Sequence, residues 1–312
     1  MRKFLVLGFL IAAVSPVFGL DTSELDKKQI EFATTASQKA GLEKATLVET
    51  DHYRFVGHLS KEKANALAKN LTKHATIAAK LVRFKDDDKP WEGKLTIFAF
   101  PERNQFTAFV RNQEERRAES EEKSSFALKG EIPYLAVSLS NLKPAELEPK
   151  LMESISEAIL NRKVGGVAQF PEWFREGFEK LVVLKSVPAN YATFKTQTKA
   201  KFGPRGVWYT AGLRHISGET MANEKSELKD LPLLKVSFVD YLLNGLPDTK
   251  VEVALGNFRV SEENPMPNIA GLSALIEVKE GEDWKKKLEY DWKTWAVTGK
   301  EAKEPKKDSK KP

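Results

Sequence analysis

Residues 151–184 read LMESISEAILNRKVGGVAQFPEWFREGFEKLVVL, and the order of apolar, glycine and proline positions in this stretch divides it into two helices. Leu147, Leu151, Ile155 and Ile159 recur every four residues, which places them on one helical face. Pro144 sits near the first turn, where a missing N–H costs nothing, and Gly165-Gly166 stops the helix at about Arg162. Pro171 opens the second helix, whose apolar face is Trp173, Phe174, Phe178, Leu181 and Val182. A loop this short makes the two helices pack as a pair.

Upstream, the pattern alternates between strands and helices. Tyr53, Phe55, Gly57 and Leu59 alternate with Arg54, Val56 and His58, the period of a half-buried strand. Ser60 then caps a helix with the stripe Ala64, Leu67, Leu71, His74, Ala78 and Leu81. KLTIFAF at 94–100 reads as a buried strand ended by Pro101, and Phe106, Phe109 and Val110 as a short helix. The charged stretch 112–125 reads as a mobile loop, and 132–139 as a further strand, at a sheet edge because of Pro133. Strand, helix, strand, helix predicts an α/β or α+β fold.

Beyond Ser186 the pattern is more broken, with helices expected at 233–244 and 282–297. Trp284, Leu288, Trp292 and Trp295 share one face of the latter, and that spacing marks them as core rather than as a stacking platform for a ligand. The division expected is an α/β part at 20–186, a mainly helical lobe at 187–298 and a disordered Lys-rich tail at 299–312.

Residues 1–19 have the form of a secretory signal peptide: Arg2 and Lys3, an apolar run from Phe4 to Val14, and small residues at Val17 and Gly19 before a cleavage point. The run is shorter than the roughly 20 residues that span a bilayer, which favours removal over a retained anchor, and no later stretch is apolar enough to span. The expected location is therefore secreted, periplasmic or in the cell envelope. The chain has no Cys, so disulfides, thiolate zinc sites and thiol nucleophiles are excluded. Its formal charge of +6 comes mostly from Arg2, Lys3 and the tail, leaving a nearly neutral body. That distribution argues against nucleic acid as a partner. The tail is a solubilising end, or else a weak attachment to an acidic surface.

Neither a G-x-S-x-G elbow nor a phosphate-binding or dinucleotide glycine loop is present. Of the four His, His52 and His58 lie roughly 20 Å apart along one strand and cannot share a metal. His74 lies on an apolar stripe and reads as a hydrogen-bonded boundary residue, while His215 follows Trp208 and Tyr209 as a candidate cleft residue.

The two helices around Gly-Gly, followed by P-E-W-F-R-E-G, resemble the active-site helix pair of gluzincin zinc peptidases, in particular the secreted peptidase-MA-like domains. The resemblance implies a small mixed sheet packed on that helix pair, with a helical C-terminal part. It also implies H-E-x-x-H on the first helix and a third ligand in W-F-x-E-G. Here Glu153 stands at the first His, Ser154 at the catalytic Glu and Glu157 at the second His, and only Glu176 keeps the family's residue type. Zinc prefers imidazole and thiolate, whereas an all-carboxylate set suits Ca²⁺, Mg²⁺ or Mn²⁺. Ser154 is too weak a base to replace a Glu.

The same carboxylates also fit a solvated surface, since Glu153 and Glu157 lie opposite the stripe of their helix and Glu176 opposite Trp173 and Phe178. The reading that results is a pseudo-metallopeptidase without a cofactor, binding a peptide or cell-envelope ligand in a cleft that draws on Ser154, Trp173, Glu176 and His215. The alternatives are a metal-dependent hydrolase built on Glu153, Glu157 and Glu176, and a structural envelope module.

Overall fold

The computed structural model describes residues 22–85, 88–165, 169–217, 230–262, 264, 267–278 and 282–300. The segment read as a signal peptide, Gly166 of the Gly-Gly pair and nearly all of the tail lie outside them.

The described chain opens with α1 (Thr22–Lys39), then β1 (Thr46–Glu49), β2 (Tyr53–Gly57) and α2 (Lys61–Leu81). It continues through β3 (Leu95–Phe100), α3 (Arg103–Glu114), β4 (Ser124–Ala127) and β5 (Tyr134–Ser138). A 3₁₀ turn at Pro144–Glu146 leads into α4 (Leu147–Val164), followed by α5 (Glu172–Ser186), α6 (Pro188–Phe202) and α7 (Leu213–Ser217). After that come α8 (Leu231–Asp240) with a π-helical turn at Tyr241–Gly245, α9 (Asp248–Gly256), a 3₁₀ segment at Ile269–Leu275 and α10 (Trp284–Thr298).

The five strands form one open mixed sheet in the order β1-β2-β3-β5-β4. β2, β3 and β5 run parallel through its centre, and β1 and β4 are antiparallel edges. Register sets Phe55 beside Ile97 and Ile97 beside Leu135. One face of the central strands, carrying Tyr53, Phe55, Ile97, Leu135 and Val137, packs on α2 and α4. The other, carrying Val56, Phe98, Phe100, Tyr134 and Ala136, is covered by α1 and α3.

Two sided coverage corrects the half-buried reading of the first strand: all five residues of β2 are buried. Its charged member, Arg54, is tolerated because α1 supplies partners. The guanidinium donates to Gln29 and pairs with Asp26 on α1, and it reaches Glu49 on β1 at 2.7 Å. Gln29 in turn donates to the carbonyls of Glu92 and Glu131 and accepts from the backbone N–H of Lys94.

Two further expectations change. β5 is interior, between β3 and β4, because Pro133 precedes the strand and its carbonyl accepts from Thr96 while its missing N–H interrupts nothing. The charged stretch 112–125 is no free loop: it contains the end of α3 and the start of β4. Arg116 fastens it through Glu114 and Glu122, and Arg103 donates to the carbonyls of Glu119 and Glu122.

The expected cap holds, with the Ser60 hydroxyl accepting from the N–H of Lys63 at the start of α2. Downstream, the apolar core runs from the sheet into α5, α6, α8 and α10 without a break. Trp292 is buried, its indole N–H donates to Ser237, and it packs on Phe202 and Phe238. Asp240 is buried at the end of α8, where Tyr191 and Asn244 donate to it and Lys195 pairs with it at 3.2 Å.

Candidate functional site

α4 ends where Gly165 adopts a left-handed conformation (φ 68°), and α5 starts directly after Pro171. Leu151, Ile155 and Ile159 anchor α4 in the core, and Trp173, Phe174, Phe178 and Leu181 anchor α5. These anchors leave the carboxylates on the rims.

α5 packs most extensively on α8. Gly177 is the point of closest approach, since a Cβ there would stand 2.7 Å from a methyl of Val239 and 3.0 Å from the carbonyl oxygen of Lys235. The glycine of the E-G pair thus serves helix packing.

Each of the three carboxylates singled out above has its own cation. Glu153 pairs with Lys150 one turn earlier at 2.8 Å, and Glu157 with Arg175 of α5 at 3.6 Å. Glu176 is turned to α8, where Lys235 meets it at 2.7 Å. Among the described residues, no three His, Asp or Glu come together in a way that could hold a metal ion.

The acidic residue that does associate with Glu153 and Glu157 is Glu179, one turn beyond Glu176. Burial, and then the negative charges of Glu153 and Glu157, push its carboxyl up to about 7, against the opposing influence of Lys150 and Arg175. A carboxyl held there can donate a hydrogen bond or exchange a proton near neutral pH. Its position at the end of W-F-R-E-G-F-E was visible in the sequence, but its proximity to α4 follows only from how α5 is rotated.

The other candidates are dispersed. Ser154 is buried and its hydroxyl has no hydrogen-bond partner. Trp173 packs among Phe174, Phe238 and Phe258. His215 is buried in α7, its Nδ1 accepting from the backbone N–H of Gly212 at 3.1 Å. His52 and His58 are exposed on either side of β2. His74 is buried more deeply than a boundary residue, its Nε2 2.7 Å from the Ser156 hydroxyl.

A cleft of about 520 Å³ opens beside the helix pair. Glu157 and Asn161 of α4 form one side, Gln169, Phe170 and Arg175 another, and Asn268 closes it. Ser154, Trp173, Glu176 and His215 do not line it. Its surface mixes side-chain amides, one ion pair and one aromatic ring, which are groups that hydrogen-bond to peptide-like partners.

No family model and no curated protein matches this chain. The functional argument therefore rests on the geometry around α4 and α5.

Proposed function

We propose that this chain is an exported, gluzincin-like protein that does not hydrolyse peptides and uses the cleft beside α4 and α5 to hold a peptide or a peptide-like cell-envelope ligand. One observation carries this reading: at the three positions where the resemblance expects metal ligands, carboxylates stand, and each is neutralised by a different neighbour, Lys150, Arg175 or Lys235. Each of these partly exposed pairs is worth little by itself, but together they aim the three carboxylates at three separate cations instead of at one shared ion. The mixed sheet against α4, the α4–α5 pair and the helical C-terminal half support the same reading.

Elemental analysis of the purified protein, with a peptide-hydrolysis assay with and without added Zn²⁺, Mn²⁺ or Ca²⁺, tests it. The expected result is no stoichiometric metal and no cleavage, while a mixed peptide library protects Arg175 and Asn161 from solvent. A bound metal, with cleavage lost in Glu153→Gln, overturns it.

The raised Glu179 carboxyl favours a second reading, a hydrolase without a metal in which Glu179 acts as general acid beside Glu153 and Glu157. Under that reading Glu179→Gln abolishes cleavage and Glu176→Gln leaves it intact.

A further inference from the structure

α10 buries Leu288, Trp292 and Trp295 and turns the opposite stripe outward, so that Lys286, Tyr290, Lys293 and Val297 share one helical face. The segment between α6 and α7 runs along the flank of this stripe. The N–H of Leu213 donates to Glu289 at 2.7 Å, and Lys293, one turn further on, donates to the carbonyl of Tyr209 at 3.2 Å. Those two contacts set Tyr209 beside the stripe that carries Tyr290. Tyr209 is 59% exposed and Tyr290 56%, with Val207 50% exposed two residues before Tyr209. Among the described residues, neither tyrosine ring packs on another ring and neither hydroxyl makes a hydrogen bond.

The charges beside the two rings have one sign. Glu289 is held on the flank by Leu213, and Asp291 lies further round the helix, where Lys287 and Lys250 act on it. Lys286 and Lys293 are left next to Tyr290. The sequence that follows α10 adds to them, since residues 301–312 hold five Lys against Glu301, Glu304 and Asp308. Tyr290 stands about 12 Å from the end of α10 by helical rise, a distance that a few extended residues cover at roughly 3.3 Å each.

A tyrosine joins an apolar ring to a polar hydroxyl, the combination that comes to rest at the headgroup level of a bilayer. Lysines beside it are drawn to anionic headgroups, and stable attachment takes both signals together. A soluble polyanion would meet the lysines but offer the rings no apolar layer.

We infer that the face formed by Tyr209, Tyr290, Lys286 and Lys293 docks this protein on an anionic lipid surface. The rings enter the headgroup layer, and residues 301–312 supply a second, electrostatic hold. The cleft beside α4 and α5 takes no part in this contact, so either reading can fail without the other.

Co-sedimentation of the mature protein, freed of residues 1–19, with lipid vesicles tests the assignment. Vesicles of phosphatidylcholine with about 30 mol% phosphatidylglycerol should retain it about tenfold better than phosphatidylcholine alone. Raising the salt from about 0.1 M to about 1 M should release it, because the screening length contracts from about 10 Å to about 3 Å. Tyr209→Ser combined with Tyr290→Ser should weaken retention about tenfold although residues 301–312 are intact, with the far-ultraviolet circular dichroism unchanged. Lys286→Glu should weaken it severalfold, and this variant decides the matter if the serine pair does not fold. Equal retention by both vesicle types, full retention of the altered proteins, or a synthetic 299–312 peptide that binds as tightly as the protein would overturn the proposal. Equal affinity for soluble heparin would also overturn it, in favour of a polyanion.

Discussion

His74 on α2 and Ser156 on α4, 82 positions apart in sequence, are joined by a 2.7 Å contact between Nε2 and Oγ in the interior. Burial holds the ring down at about 4 against an ordinary 6.5, although the nearby Met152 carbonyl favours the protonated form. The folded ring thus stays neutral where the unfolded ring takes up a proton. The contribution of His74 to stability is fully present above pH 6.5 and is lost as pH falls towards 4, about 3 kcal/mol in all. His74→Gln keeps a hydrogen-bonding group and removes the titration, so urea unfolding from pH 7 to 4 should show a shallower acid loss in the variant.

Glu179 has the opposite dependence. Its folded carboxyl is raised from 4.5 to about 7, so the neutral form favours the fold below pH 4.5 and that contribution disappears as pH rises through 7. Glu179→Gln should match the parent at pH 4 and exceed it in stability at pH 8, measured by denaturant midpoint. Between pH 4.5 and 6.5 the two groups oppose one another, so the part of each is read from the difference in stability between its variant and the unaltered protein at each pH.

Gly177→Ala introduces a methyl against Val239 and the Lys235 carbonyl where α5 meets α8. The valine methyl can rotate, but the carbonyl is backbone, so the helices must separate slightly. A loss of about 1–3 kcal/mol is expected in equilibrium unfolding. Equal stability of the variant would show that this glycine does not set the helix spacing.

Gln29 satisfies backbone groups on two loops and one arm of the buried Arg54. Gln29→Leu keeps the volume and leaves these partners buried, at a cost of about 3 kcal/mol. Thermal melting of the variant beside the unaltered chain checks this value.

The helix pair was legible because its punctuation is strong: Gly165 and Pro171 mark its ends and large apolar residues recur at helical spacing. α1 was not, because its buried apolar residues include Ala33 and Ala36, and its deepest polar residue is Gln29. Small residues give almost no periodic hydrophobic signal, although they let the helix lie close to the sheet. β5 was recognised as a strand but misplaced, since a proline constrains only its own backbone and here it stands one residue outside the ladder. At the site, the sequence located Glu153 and Glu157 on an outer face. It could not reveal that Glu179 joins them and that Glu176 leaves for Lys235, because the roll of α5 is set by Gly177 against α8.

The Arg54 latch also bears on where the chain can be shortened. Phe98, Phe100, Phe109 and Tyr134 form a contiguous aromatic layer of mostly tilted and edge-on rings, and α1 lies over it with Phe32 touching both Phe98 and Tyr134. A chain beginning at Thr46 would retain every strand, yet it would expose this layer to water and strip the Arg54 guanidinium of Asp26 and Gln29. Such a sticky face recruits other molecules. Residues 22–39 thus act as an inbuilt guard against self-association, and the shortest well-behaved version of this protein includes them.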